Sequence, residues 1–264
     1  MTEDRFAFVR RPSPRLDEGL VTHIERSTSV DAVLAVRQWQ GYVEALRAAG
    51  FAVHEVDPAP DCPDGVFVED PLLVFDDLAI LAAPRAPSRR PELEGARAAA
   101  VAQGLRTVEL ADAPVDGAVS LDGGDVLRVG DTTYVGVGGR TTAAGAAALA
   151  HHLRPVGLRV VPVPVTKTLH LKSQVTALPD GTIVGYAPWV DDPSNWPAFL
   201  DVPEPEGAHV VVLDEHTVLM ADAAPCSAEA FRARGLAVVA VPMSELIKLE
   251  GCVTCLSVRC HAFD

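Results

Sequence analysis

The chain has 264 residues, 48% hydrophobic and 22% charged, which excludes wholesale disorder and fits one large domain or two small ones. Lys and Arg number 22 against 36 Asp and Glu, and the net charge of −14 repels phosphate backbones, so a nucleic-acid partner is not expected. No apolar run approaches the ~20 residues of a membrane span, the first residues are polar without a signal peptide, and five cysteines do not suggest a secreted disulfide framework. A cytoplasmic protein is expected, with no membrane partner, as monomer or homodimer.

In chain order, the first expected helix covers 29–49, with Val33, Val36, Tyr42, Val43 and Leu46 forming an apolar face. It ends at Gly50-Phe-Ala-Val-His-Glu-Val, a Gly, a large apolar residue and a Val-rich strand. A hairpin follows, with strands over 70–75 and 78–82 and an Asp76-Asp77 turn. A helix over 88–103 then leads to the second Gly-plus-strand mark at Gly104. The next hairpin turns at Gly130-Asp131, and an Ala-rich helix over 142–153 leads to the third mark at Gly157. Hairpins turning at Pro179-Asp180-Gly181 and at Asp214-Glu215 come next, then a short helix over 227–234 and the fourth mark at Gly235. The run 253–259 reads as a fifth first strand.

The marks are 54, 53 and 78 residues apart, so one unit has lost or altered its helix. The order strand, strand, helix, strand recurs about five times, and repeated α/β units can close into a ring in which none is stable alone. We find no linker, and a single domain over 1–264 is expected.

Four of the five first strands begin with a polar or reactive group: Glu69-Asp70, Asp122-Gly-Gly-Asp125, His170-Leu-Lys-Ser173 and Cys255. The fourth unit offers nothing comparable near Gly207-Ala208. In a ring, equivalent positions face one axis, so carboxylates, an imidazole and a thiol would converge. Buried carboxylates oppose a thiolate unless a cation binds among them. A guanidinium about 4 Å from sulfur is worth up to ~4 kcal/mol at an effective dielectric of 20, roughly three pKa units. This points to a cysteine nucleophile activated by its own cationic substrate.

Phe67-Val-Glu-Asp70, Ala86-Pro-Ser-Arg-Arg90, Leu121-Asp-Gly-Gly-Asp-Val126, Leu169-His-Leu-Lys-Ser173, Met243-Ser-Glu-Leu246 and Glu250-Gly-Cys-Val-Thr-Cys255 together resemble the dimethylarginine dimethylaminohydrolase family, over nearly the whole chain. The resemblance implies the pentein fold, a five-bladed pseudo-symmetric α/β propeller of ββαβ modules around a central active-site channel. It also implies hydrolysis of asymmetric dimethylarginine and monomethylarginine to citrulline through an S-alkylthiouronium on cysteine, without metal or organic cofactor. By the same resemblance Cys255 is the nucleophile, His170 the general acid and base, and Asp122 the residue that orients His170. Asp70, with Glu69 beside it, binds the guanidinium of a small cationic amino acid. Asp64 takes the α-amine, and Arg89 and Arg140 take the α-carboxylate. Phe67 and Leu20 line the substrate site, Leu20 within a lid-like segment over 15–22, and Leu249 offers it a backbone carbonyl.

Other readings stay open on the residues alone. Cys255 alone reads as a core cysteine, and Cys252-x2-Cys255 with Cys260 and His261 nearby permits a zinc or redox site. A second ligand pair is absent, and strand spacing would put Cys252 and Cys255 on opposite faces. Arg89-Arg90 alone reads as a solvated helix start. A deiminase or another guanidine hydrolase of the same superfamily, a silent member, or a metal-responsive thiol protein are the alternatives.

Overall fold

Tight turns seed the architecture at Asp76, where φ is 53°, and at Gly130 and Gly181, where φ is 60° and 81°. The structure, a computed structural model, describes residues 5–26 and 28–260, so His261 lies outside the described residues. The chain opens with β1 (Phe6–Val9), α1 (Ala32–Ala48) and β2 (Ala52–Glu55). Next come β3 (Leu72–Phe75), β4 (Leu78–Leu81), α2 (Glu92–Ala102) and β5 (Arg106–Glu109). A second unit has β6 (Val126–Val129), β7 (Thr132–Gly138), α3 (Ala143–Leu153) and β8 (Arg159–Val165). A third has β9 (Val175–Ala177), β10 (Ile183–Gly185) and β11 (Phe199–Asp201). A fourth has β12 (Val210–Asp214), β13 (Thr217–Ala221), α4 (Pro225–Ala233) and β14 (Ala237–Val241). The chain then runs through α5 (Ser244–Ile247) to β15 (Val258–Cys260).

Among the described residues these strands form five three-stranded sheets. In each, the first two strands pair antiparallel and the third joins parallel after a crossover. The fifth sheet, β15-β1-β2, draws its first strand from the end of the chain and the others from the beginning, with Phe6 opposite Cys260. This antiparallel pair closes the ring. The glycines of the four repeat marks all take positive φ, from 75° to 90°, where each helix turns into its last strand.

Helix starts are set by side-chain caps. Asp31 accepts the Val33 and Leu34 amides at 2.9 Å, and Thr142 accepts the Gly145 amide at 3.0 Å. The second helix starts four residues later than expected, at Glu92, because 87–89 form a 3-10 turn that carries Arg89 inward. The expected strand over 253–259 shortens to 258–260, because Thr254–Leu256 winds into another 3-10 turn.

The apolar residues gather between neighbouring units rather than within them. Leu73, Phe75 and Ile80 of one unit pack with Val126, Val135 and Leu149 of the next. Four further clusters bridge the second and third, third and fourth, fourth and fifth, and fifth and first units. Five interfaces therefore close a five-bladed pseudo-symmetric α/β propeller, the pentein arrangement. The third unit carries no α-helix between β10 and β11, in keeping with its long spacing. Trp196 fills part of that space, edge-on to Tyr134 at 4.9 Å. Among the described residues no helix is long and apolar enough to cross a membrane.

Candidate active site

The first strands β3, β6, β9, β12 and β15 surround an axial chamber of about 180 Å³. The residues just before four of them line a separate small cavity at the other side: Asp70, Asp122, His170 and Cys255. Asp64, Phe67, Arg89, Arg140, Leu20 and Leu249 line the same cavity, joined by Leu169, Glu250 and Gly251. Of the residues singled out from sequence, Glu69 alone does not. Its side chain borders the axial chamber, where Lys172 Nζ, from the third unit, donates to Oε1 at 2.5 Å. That ammonium draws the carboxylate away from the site although Asp70 is its chain neighbour.

Three carboxylates hold His170. Its Nε2 lies 3.3 Å from Asp122 Oδ2 and its Nδ1 3.9 Å from Asp70 Oδ1. Asp125 acts through the backbone, its Oδ1 accepting the Leu171 amide at 2.9 Å while Thr141 donates to Oδ2 at 2.6 Å. Burial opposes a charged ring, but Asp70, Asp122 and Asp125 outweigh it and raise His170 to about 9. Burial likewise lifts Asp125 to about 6. The ring fits only because residue 124 is glycine: a Cβ there would lie 2.4 Å from His170 Nδ1 and 2.9 Å from Asp70 Oδ1.

Asp70 is also the ion-pair partner of Arg89. Burial works against its charge, yet Arg89 and His170 keep its carboxyl below the usual range. Arg89 is buried and largely engaged: Nε and Nη2 donate to Glu92 at 3.0 and 2.8 Å, and Nη2 also reaches the carbonyls of Phe67 and Asp64 at 2.9 and 3.1 Å. Arg10 extends the chain of charges, donating to the Glu92 and Gly65 carbonyls. Arg140 differs, for its guanidinium makes no hydrogen bond among the described residues and is half-buried at the cavity. Asp122 Oδ1 is buried and has no partner among the described residues.

The segment expected to act as a lid is tied by its own amides. Leu20 donates to Asp64 Oδ1 at 3.0 Å, and Thr22 and His23 donate to Glu250 at 2.8 and 2.7 Å. Sequence reasoning quoted Glu250 within a motif but gave it no task. It also gave no task to Glu92 or Arg10, and named Asp125 only among the groups expected to converge. Their signal in the sequence was only a helix-start acid, a lone arginine in a strand and a turn-like Asp-Gly-Gly-Asp.

Cys255 lies in the 3-10 turn, so strand alternation does not apply. Its Sγ is 3.3 Å from Cys252 Sγ, and the two thiols do not face opposite ways as strand spacing suggested. The hydrogen bond with Cys252, then burial and the charges of Glu69 and Asp70, push the Cys255 thiol well above its ordinary range. The site thus holds a protonated imidazole, a suppressed thiol and an unpaired buried carboxylate oxygen, an arrangement that a bound cation would turn toward nucleophilic chemistry. Among the described residues no group of three or more His, Cys, Asp or Glu side chains could hold a metal ion.

No protein-family model matches the sequence. The chain is 56% identical over 253 residues to an N(G),N(G)-dimethylarginine dimethylaminohydrolase from Streptomyces coelicolor, covering 96% of each. A solved dimethylarginine dimethylaminohydrolase from Pseudomonas aeruginosa, a cysteine-to-serine variant complexed with citrulline, superposes with TM-score 0.87 at 28% identity, covering 96% of this chain and 98% of that one. A second, a histidine-to-glycine variant as an adduct with S-methyl-L-thiocitrulline, gives TM-score 0.87 at 27% identity, covering 97% and 100%. With more than half its residues shared along nearly the full length of a named relative, and with that fold, the chain belongs to the dimethylarginine dimethylaminohydrolase family.

Proposed function

We propose that the chain hydrolyses Nω-methylated arginines, asymmetric dimethylarginine and monomethylarginine, to citrulline and the methylamine. The observation that carries this reading is the meeting of Asp70, Asp122, His170 and Cys255, from four different units, in one small cavity. A planar cation there finds Asp70 and the unpaired Asp122 Oδ1 as acceptors for its N–H groups. Its charge offsets the carboxylates that suppress the Cys255 thiol, which releases its proton to solvent as the substrate docks.

Cys255 thiolate then attacks the guanidinium carbon. His170, already carrying its proton at neutral pH, gives it to the departing methylamine. A thiouronium remains on sulfur. The now neutral His170 takes a proton from water, the water attacks the same carbon, and citrulline leaves as the thiol returns. Asp122 keeps the ring in place through its 3.3 Å contact. Asp64 takes the α-amine with the oxygen not used by Leu20. Arg140 offers the free fork for the α-carboxylate. Arg89, held by Asp70 and Glu92, contributes only its remaining Nη1–H. Glu69 supports the axis by pairing with Lys172 rather than by touching the substrate.

The test is a citrulline assay with dimethylarginine, monomethylarginine, arginine and agmatine. Turnover is expected on the methylated arginines above the other two and absent in Cys255→Ser. A Cys255→Ser protein with wild-type turnover would overturn the mechanism, and preferential turnover of unmethylated arginine would make the chain a deiminase.

A further inference from the structure

The mechanism uses Cys255 and leaves Cys252 without a task, although their sulfurs are 3.3 Å apart. The contact is built into the backbone. The Cys255 amide donates to the Cys252 carbonyl at 3.2 Å, closing a four-residue turn. Such a turn keeps its end Cα atoms within about 7 Å, and disulfides accept separations of about 4.4–6.8 Å. Closing the sulfurs to a bond of about 2.05 Å asks for side-chain movement of little more than an ångström.

The two sulfurs also open on different spaces. Cys255 borders the site cavity, and Cys252 borders a neighbouring cavity of about 260 Å³ with Trp189, His209 and Lys167 in its wall. A small oxidant therefore has a route to the pair that does not pass the substrate position. The hydrogen bond between the sulfurs, against burial and with help from His209 and Thr254, holds Cys252 well below the ordinary thiol range while Cys255 is pushed up. The sulfur whose thiol is lowered is the readier source of the thiolate that attacks peroxide, and it lies beside a thiol placed to resolve the product.

We propose that Cys252 and Cys255 are a redox modification site, closing to a reversible intramolecular disulfide with hydrogen peroxide and so withdrawing the nucleophile. In the first step a thiolate attacks one peroxide oxygen. An S–O bond forms, the O–O bond breaks, and hydroxide leaves to take up a proton as water. In the second step the other sulfur attacks the sulfenic sulfur. The S–S bond forms, the S–OH bond breaks, and hydroxide leaves with the second thiol's proton. Each sulfur gives up one electron, and the peroxide is reduced to two waters. A dithiol reverses the change by exchange.

The loss of activity rests on Cys255 being the nucleophile, but formation of the bond does not, and the test separates the two. The full chain is treated with a few equivalents of hydrogen peroxide, alkylated under denaturing conditions and digested with trypsin. Both cysteines fall in the peptide 249–259. In the wild type this peptide should be unalkylated and lighter by two hydrogens, and citrulline formation should fall in proportion to it and return with dithiothreitol. Cys252→Ser should instead gain oxygen atoms at Cys255 and lose activity that dithiothreitol does not restore. Should that variant not fold, the wild-type peptide decides alone. Two alkylated cysteines, or sulfinic acid at Cys255 without loss of two hydrogens, would overturn the proposal. A fully bridged chain with undiminished turnover would overturn the switch and remove Cys255 as nucleophile, while leaving the bond itself established.

Discussion

Glu69 and Asp70 are neighbours in the chain and end in different chambers. Glu69 borders the axial chamber with Lys172 as its fixed counter-ion, while Asp70 borders the site cavity between Arg89 and His170. Both carboxylates are buried. The difference lies in what stands around them. On the axial side the carboxylate meets the Lys172 ammonium and the charge of Arg259, and no proton donor or nucleophile of the proposed reaction borders that chamber. On the site side the positive charge includes an imidazole that can release its proton, and a thiol lies along the same wall. Burial of acid is thus common to both ends of the axis, and chemistry needs a group that can change charge beside it.

The sharpest way to break this contrast is to neutralise each acid in turn. Asp70→Asn should lower kcat/KM for dimethylarginine by about 10²–10³ or more, the scale seen when one charge-stabilising group is removed from an active site. Glu69→Gln should change kcat/KM far less, since it removes only a charge that bears on the Cys255 thiol from outside the cavity, and should lower stability by up to ~3 kcal/mol, because Lys172 loses its partner. Steady-state citrulline kinetics and urea unfolding on the same two proteins check both halves. Equal kinetic losses would show that the two chambers act as one.

A second test uses the imidazole. The folded pKa of His170 is about 9, above the ~6.5 of an unfolded chain, so protonation favours the fold. The stabilisation is fully present below about pH 6.5, declines as pH rises and is gone above about 9, a span worth about 3 kcal/mol. Urea midpoints measured from pH 6 to 9.5 should fall over this window in the wild type and stay flatter in His170→Asn. A wild-type profile as flat as the variant's would remove the carboxylate cage as the cause.

The ring was legible because its grammar is local. Glycine at a helix end, an Asp or Gly turn and alternating apolar runs each state their own geometry, and four copies of one phrase with a long third gap announced both the repeat and the unit without a helix. The site was legible where a polar residue interrupts that grammar at the head of a first strand, as at Asp122, His170 and Cys255. What stayed hidden is set by side-chain direction and by partners far away in sequence. Glu69 turns from the site because of Lys172, 103 positions later. Glu250 meets the amides of Thr22 and His23, 228 and 227 positions earlier. The Cys252–Cys255 contact was misread for another reason. It depends on a 3-10 turn within a run whose composition favours a strand, and burial of Cys252, Val253, Cys255 and Leu256 together in one core cluster wins over that preference.

The smallest expected effect concerns the two arginines, which the sequence could not distinguish. Arg89 spends its donors on Asp70, Glu92 and two carbonyls, whereas Arg140 faces the cavity with none of its donors used among the described residues. If Arg140 is the carboxylate fork, Arg140→Ala removes one charge-assisted contact of about 1.5–3 kcal/mol, a loss of roughly 10–100-fold in kcat/KM that falls mainly on KM. The same variant should handle methylated agmatine, which has no carboxylate, as the wild type does. Arg89→Ala should not show this selectivity, because it leaves Asp70 and Glu92 buried without their shared cation, and both substrates then meet a cavity of altered charge. A KM increase in Arg140→Ala of equal size for both substrates would mean that this guanidinium shapes the cavity instead of reading the substrate's far end, and the functional difference between the two arginines would vanish.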